Sequence, residues 1–352
     1  MPRRLPLALG ALLLAAPLAL AGALSAPLPA VAEGAGGEAP VTWSVAPATE
    51  QGADGRAWVE LELDPGATVT EHLAVRNLGD APVVFALGAA DGYFTPSGRF
   101  NMLASDAESV DAGTWIALPE TVEVAAGGTA VVPFTVTVPE RATPGDHAAG
   151  VAASITSVAE GDGATLGVES RVGFRVMTRV SGELEPGLAV AAGGGYRLSW
   201  NPFAPGAIEL SAELENTGNV RLALDPSAEA GGARRTADGV AEGQRVELLP
   251  GERRTVRFTM PAVWPTVLAG AVLRVEGGAI DPSGEAAGID PVVREVTIWA
   301  LPVPQLAVLA GAALLALGIL LGRRRSRARL ERLLEDAHHA GRREALAEEG
   351  PQ

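Results

Sequence analysis

The stretch WVELEL, beginning at Trp58, sets Val59, Leu61 and Leu63 on one side of an extended chain and Glu60 and Glu62 on the other. Successive side chains of a strand point to opposite faces, so a period of two marks a strand with one dry face and one wet face. The alternation returns in AVVPFTVTV, where Val132, Phe134, Val136 and Val138 oppose Val131, Pro133, Thr135 and Thr137. It returns again in AIELSAELEN, where Ile208, Leu210, Ala212 and Leu214 oppose Glu209, Ser211, Glu213 and Glu215. Helical spacing is scarce over the same region. One sheet cannot cover its own apolar face, so these strands predict an all-β architecture of paired sheets, a sandwich.

Turn chemistry divides the strands. Pro-Gly pairs stand at residues 65, 144, 186, 205 and 250, and Asn77-Leu78-Gly79-Asp80 and Asn216-Thr217-Gly218-Asn219 lie between strand candidates. A faint internal repeat accompanies them. LDPGATVTEHLAVRNLGDAPVVF and AIELSAELENTGNVRLAL share the order strand, Asn-x-Gly, strand, and LLPGERRTVRFTM matches VAAGGTAVVPFTV. Two tandem sandwiches are expected, over residues 41–186 and 187–297, joined near Pro186-Gly187 after the strand SRVGFRVMTRV.

The two ends of the chain read differently. Residues 1–32 open with Arg3 and Arg4, run through LPLALGALLLAAPLALAGAL and reach Ala30-Val31-Ala32, the form of a cleaved signal peptide, followed by a linker at 33–40. Residues 298–322 form a second apolar run without formal charge, expected to be a transmembrane helix with Pro302 and Pro304 at its start and Trp299 at headgroup depth. The five arginines of RRRSRAR follow, which predicts the 323–352 tail in the cytoplasm and the sandwiches outside the plasma membrane of a bacterium. Leu330, Leu333 and Leu334 predict a short helix in that tail.

Residues 33–297 carry 17 arginines against 36 acidic residues, a net of −19, whereas the tail carries eight against six, a net of +2. Such an acidic exterior argues against nucleic acid as a partner. The chain has no cysteine, so the exported part depends on apolar cores and not on disulfides. Every basic side chain is arginine, a coding bias that suggests a GC-rich, actinobacterial source.

Few residues invite chemistry. Asp146-His147 follows Pro144-Gly145 at a strand entry; no G-x-S-x-G accompanies it, and the other histidine of the exported part, His72, stands mid-strand beside Glu71. The bland reading, a polar turn, fits better than a catalytic pair, and no zinc-ligand spacing occurs. Carboxylate pairs mean little on so acidic a surface, and Asp91 and Asp225 lack calcium-loop spacing, although a calcium site formed across loops stays open. Trp43, Trp58, Trp115, Trp200 and Trp264 are expected chiefly in cores, while GYFTPSGRF could expose a ring. LPETV at Leu118 imitates a sortase signal but has Val122 where glycine is required, and WAL at Trp299 reads as an interfacial anchor. No catalytic residue, cofactor or metal is expected. The candidate partner-binding residues are Tyr93, Phe94, Phe100, Asp146 and His147.

Taken in order, VTWSVAPA, LDPGATVTEHLAVRNLGDAPVVF, DGYFTPSGRF and VPFTVTVPERATPGDHAAGVAAS resemble the peptidoglycan-binding domain of the WxL-interacting proteins over about residues 41–180. That resemblance implies Ig-like sandwiches, a single C-terminal membrane anchor, and attachment to cell-wall peptidoglycan or to surface proteins. The expected function is thus a non-enzymatic, single-pass envelope protein that binds wall glycan or another surface protein. The alternative is an accessory subunit or chaperone of a membrane secretion or wall-synthesis complex.

Overall fold

The computed structural model describes residues 41–348 apart from 162–163, 242 and 282–285; the expected signal peptide and linker lie outside the described residues. The N-terminal half contains β1 (Trp43–Thr49), β2 (Gly52–Ala53), β3 (Val59–Leu63), β4 (Thr68–Asn77), β5 (Val83–Phe94) and β6 (Phe100–Met102). A 3₁₀ turn at Ala112–Trp115 then leads to β7 (Ile116–Ala117), β8 (Thr121–Val124), β9 (Thr129–Thr137), β10 (Gly145–Gly161) and β11 (Ala164–Val180). One sheet has the order β2-β1-β4-β9-β7 and the other β3-β11-β10-β5-β6, with β8 also on β5. β3 runs parallel to β11, pairing Val59 with Val176, and the remaining described pairs in this half are antiparallel.

The second half repeats the plan with β12 (Leu188–Arg197), β13 (Gly206–Asn216), β14 (Leu222–Ala230), β15 (Ala233–Thr236) and β16 (Val246–Leu248). It continues with β17 (Arg253–Val263), β18 (Val267–Ile280), β19 (Ala286–Gly288) and β20 (Val292–Ala300). A sheet of order β12-β13-β17 faces one of order β15-β14-β18-β19, in which β16 pairs β14 and β20 pairs β18. The result is two sandwich-like pairs of sheets, each closed over its own apolar cluster.

The alternation in the sequence decides which side chains fill them. Val132, Phe134 and Val136 of β9 are buried, with Phe134 and Phe174 of β11 packed across the first core at 6.4 Å between ring centroids. In β13 the buried set is Ile208, Leu210, Ala212 and Leu214, while Glu209, Ser211 and Glu213 face water. Burying each of the large members contributes about 1.5–3 kcal/mol relative to leaving it exposed.

Each sandwich also holds one fully buried asparagine at the end of its central strand. Asn77 of β4 donates through Nδ2 to the carbonyls of Ala81 (2.7 Å) and Val124 (3.2 Å), and its Oδ1 accepts from the Gly79 amide at 2.9 Å. Asn216 of β13 does the same to Val220 (2.7 Å) and Leu248 (3.1 Å), accepting from Gly218 at 3.0 Å. The Asn-x-Gly repeat is thus a core lock as well as a turn, because the amide satisfies carbonyls that the sheet leaves unpaired at its end.

The apolar run expected to span from residue 298 divides. Ile298 and Ala300 are buried in β20, and α1 (Val303–Glu348) starts three residues later. The reason is the pairing of Leu268 with Trp299 and of Val267 with Ala300, which holds the first residues of the run in the sheet until Pro302. α1 then continues without a break through the tail, where a separate short helix was expected, and Leu330, Leu333 and Leu334 are exposed on it. It is long and apolar enough over its first part to cross a membrane.

The tryptophans also divide. Trp43 and Trp115 join the first core, Trp43 lying 5.6 Å from Phe85 between ring centroids. Trp58, Trp200 and Trp264 do not: they are exposed, against the expectation that such rings fill cores. Trp58 lies under the Arg175 guanidinium, 4.0 Å from its ring centroid, and the other two sit on loops at the far end of the second sandwich.

Candidate functional site: a charged joint between two sandwiches

Gly145, the first residue of β10, has φ of +124°, and a Cβ there would strike the Asn219 carbonyl. This is why Pro144 is followed by glycine: the chain turns into the strand directly against the second sandwich. The next residue, Asp146, is the centre of the contact. Its carboxylate takes Arg179 Nε and Nη2 in a bidentate pair, both at 2.7 Å, and accepts the backbone amide of Arg221 at 2.6 Å. Its own amide donates to the Asn219 carbonyl at 2.8 Å. Arg179 Nη2 also donates to the Ile280 carbonyl. The Asp146 and Arg179 side chains are only 7% and 9% exposed, and the hydrogen bonds Arg179 donates to the Asp146 carboxylate raise the guanidinium pKa above its ordinary value.

Asn219 completes this patch from the other side. Its Nδ2 donates to the carbonyls of Pro144 (3.0 Å) and Glu183 (2.9 Å), while Oδ1 accepts the Glu185 amide at 2.7 Å. All three hydrogen bonds of one amide are spent on holding the 181–187 connection and the entry of β10.

A second patch lies along β11. Arg175, Met177 and Arg179 share the face of that strand opposite Phe174, Val176 and Val180, and the second sandwich covers them. Arg221, itself buried, reaches Glu60 Oε1 at 3.0 Å, and Arg175 reaches Glu247 Oε2 at 3.1 Å. Burial pushes the Glu60 carboxyl up despite the opposing Arg221 and Arg175 charges, and it pulls the Arg175 guanidinium down, helped by repulsion from Arg221. Among the described residues, Arg221 Nε and Nη1 have no hydrogen-bond partner.

The third patch is apolar. Phe94, Ala148, Met177 and Leu249 form a small cluster with Phe100 against it, the Phe94 and Phe100 rings meeting edge to face at 5.8 Å. Glu252 caps it, accepting the amides of Phe94 (3.2 Å) and Leu249 (2.9 Å). Burial raises the Glu252 pKa against those two hydrogen bonds and the Arg254 charge, and the Arg254 guanidinium lies 5.7 Å from the Phe94 ring centroid. From Val41 onward the chain forms one compact unit.

The five candidate residues therefore separate. The Asp146 carboxylate and the Phe94 ring are buried in the joint, in separate patches, and Phe100 packs half-buried against the apolar one. Tyr93 stays exposed, its hydroxyl accepting from Asn101 Nδ2 at 3.2 Å. His147 turns back into the first sandwich, where Nδ1 faces both oxygens of Asp111 at 2.7 and 2.9 Å, Nε2 faces the Thr143 carbonyl at 2.9 Å, and the ring packs 4.6 Å from Trp115. Both ring nitrogens thus face acceptors, an arrangement that suits the imidazolium and leaves neither nitrogen to take a proton from a nucleophile. Burial lowers the His147 pKa, but the Asp111 hydrogen bond, the Thr143 carbonyl and the two nearby carboxylates outweigh it and leave the value raised.

Asp91, weighed above for a calcium loop, accepts the amides of Val110, Asp111 and Gly113 at 2.7, 2.9 and 2.7 Å and so fastens the 3₁₀ turn to β5. Among the described residues no group of three or more His, Asp or Glu side chains stands together as a metal site would require.

Sequence reasoning missed Arg175, Arg179, Asn219, Arg221 and Glu252. One signal was present: in SRVGFRVMTRV the arginines at 175 and 179 have the same parity, on the face opposite the apolar one, with Met177 between them.

No protein-family model matches the chain, and no curated protein matches it by sequence. Among solved structures, the Pseudomonas aeruginosa CupB2 chaperone is 14% identical over 70% of this chain and 99% of its own, with a TM-score of 0.31. The Salmonella enterica SafA pilin in complex with the SafB chaperone gives 13% identity over 72% and 95%, TM-score 0.36. The E. coli chaperone DraB gives 11% over 72% and 96%, TM-score 0.32. Scores this low carry no weight for fold or function, which rest on the chain's own sheets and joint.

Proposed function

We propose that the protein is a single-pass envelope protein whose two Ig-like sandwiches act as one stiff, non-enzymatic binding arm for another surface protein. The observation that carries this reading is the joint. It takes Asp146 and Phe94 of the candidate residues into a buried network that holds one sandwich on the other, and the second sandwich leads directly into α1. Breaking a buried ion pair such as Asp146 with Arg179 costs about 3–5 kcal/mol, so the arm resists bending. The arginines from Arg323 onward support an orientation with the tail in the cytoplasm and the arm outside.

The binding edge we favour is β11 over residues 170–174. β10 pairs it on one side, β3 reaches only 176–180 on the other, and Ser170, Val172 and Gly173 are exposed. An open strand edge offers backbone donors and acceptors to a strand from another protein. We favour a protein partner over wall glycan on the strength of that open edge; of the candidate rings Phe94 is taken up by the joint, Phe100 is half-buried and Tyr93 is exposed. A photo-reactive amino acid at Val172 in native membranes should crosslink to a protein, and one at the exposed Leu78, in the turn after β4, should not. The detergent-solubilised full chain should stay in solution with insoluble peptidoglycan. Sedimentation with the wall and no crosslink from Val172 would replace this reading with glycan attachment.

A further inference from the structure

We infer that the end of the second sandwich nearest α1 rests on the bilayer, with Trp200, Phe203 and Trp264 seated among the headgroups beside Trp299. The inference rests on the reading of α1 as a membrane span. Strand pairing brings the residues to one end: β12 leaves its sheet at Arg197 opposite Ala207, β17 ends at Val263 opposite Gly206, and β20 ends at Ala300 opposite Val267. The connections 198–205, 264–266 and 301–302 therefore emerge together. Tyr196 ties the first two, its hydroxyl donating to the Val263 carbonyl at 2.8 Å and accepting the Gly206 amide at 3.0 Å.

The helix sets the depth. From Val303 to Gly322 is 20 residues without formal charge, and Arg323 follows. At about 1.5 Å per residue that matches a hydrocarbon core of about 30 Å, so the hydrocarbon begins within a turn of Val303. Gln305 lies in that turn and donates through Nε2 to the Pro202 carbonyl at 3.0 Å. The loop carrying Trp200 and Phe203 is thereby fixed at the level where headgroups must lie.

The side chains suit that level. Trp200 is 79% exposed and Phe203 82%, and Asn201 orders the loop between them by accepting the Phe203 amide at 3.0 Å. Trp264 is 52% exposed, in a turn bracketed by Ala262 and Val267, both at positive φ (63° and 72°), with a register shift opposite Gly206 and Ala207. A β-branched residue adopts such a φ at a cost, and here the strained pair turns Trp264 out of the sheet. Rings with one apolar body and, in tryptophan, one polar edge favour the membrane interface over water. Because the contact is apolar, it should persist at high salt, unlike attraction of a basic patch to anionic lipid.

The test is tryptophan fluorescence of the full chain reconstituted in phosphatidylcholine vesicles, with and without lipid brominated close to the headgroups. Trp299→Phe alone should leave most of the quenching in place, and Trp200→Phe with Trp264→Phe should remove most of it. These positions are exposed, and phenylalanine keeps the apolar contact while deleting the reporter. If Trp299→Phe abolishes the quenching and the double variant keeps it, the sandwich stands clear of the bilayer and the inference falls, although the span remains. If no variant and not the unaltered chain is quenched, α1 does not insert, and the reading beneath the inference fails with it.

Discussion

The corners at Asn77 and Asn216 are built from the same local code and end in different places. Both asparagines are fully buried, and both donate to the carbonyl four residues on and to one on a strand of the facing sheet, β8 or β16. Beyond that they part. The first corner continues through exposed Leu78 and Asp80, whereas the second continues through Thr217 to Asn219, which binds Pro144, Glu183 and Glu185 in the connection and the entry of β10. Whether such a corner closes a single core or also mounts one sandwich on another depends on what stands three residues after the asparagine.

The largest test of that contrast is Asp146→Ala. It leaves Arg179 buried without its bidentate carboxylate, with the Ile280 carbonyl and the more distant Glu62 and Glu60 charges still beside it, and removes the acceptor of the Arg221 amide. The expected loss is about 3–5 kcal/mol in denaturant unfolding of the detergent-solubilised protein, with the single transition splitting as the sandwiches uncouple. Asp80→Ala, on the exposed corner, should leave the midpoint unchanged. Equal effects at the two positions would mean that the joint holds nothing.

A smaller effect separates lock from joint. Asn77→Ala strands the carbonyls of Ala81 and Val124 and should cost about 2–3 kcal/mol. Asn216→Ala strands those of Val220 and Leu248 and also loosens the turn that positions Asn219. It should cost at least as much, and only this variant should broaden the calorimetric transition. If Asn77→Ala broadens it equally, the first corner also transmits force between the halves.

The strands could be read from the sequence because alternation is a local property: Phe134 and Leu214 need only their own neighbours to declare a buried face. The Asn-x-Gly turns could be read as turns, but their buried amides could not, since Val124 and Leu248 come from strands far along the chain. The joint was hidden for the same reason. Asp146 meets Arg179 after 33 residues and the Arg221 amide after 75, and on a chain this acidic no carboxylate announces which arginine it will find. Asp146 stood out as a candidate partner residue, and its carboxylate is engaged within the chain by Arg179 and the Arg221 amide. The Trp200 and Trp264 rings looked like core residues because an apolar ring does not reveal, within its own segment, that a long apolar helix will begin near its loop about a hundred or forty residues later.

The smallest effect concerns His147, one residue beyond the centre of the joint. Its pKa is raised by the Asp111 hydrogen bond, the Thr143 carbonyl and the Asp111 and Asp146 charges, which together overcome the opposing effect of burial. A group whose folded pKa exceeds its unfolded value of about 6.5 stabilises fully below that value, and the contribution disappears as pH rises through the folded pKa. His147→Gln should therefore melt below the unaltered protein at about pH 5.5, and the gap should close toward about pH 9. Since Asp111 is 45% exposed, solvent screening holds the difference to about 1 kcal/mol or less. The Asn77→Ala gap should stay constant over the same range, because that corner is held by neutral amides and carbonyls. A His147→Gln gap that widens with pH would show that the imidazole is neutral in the fold and adds no charge to the entry of β10.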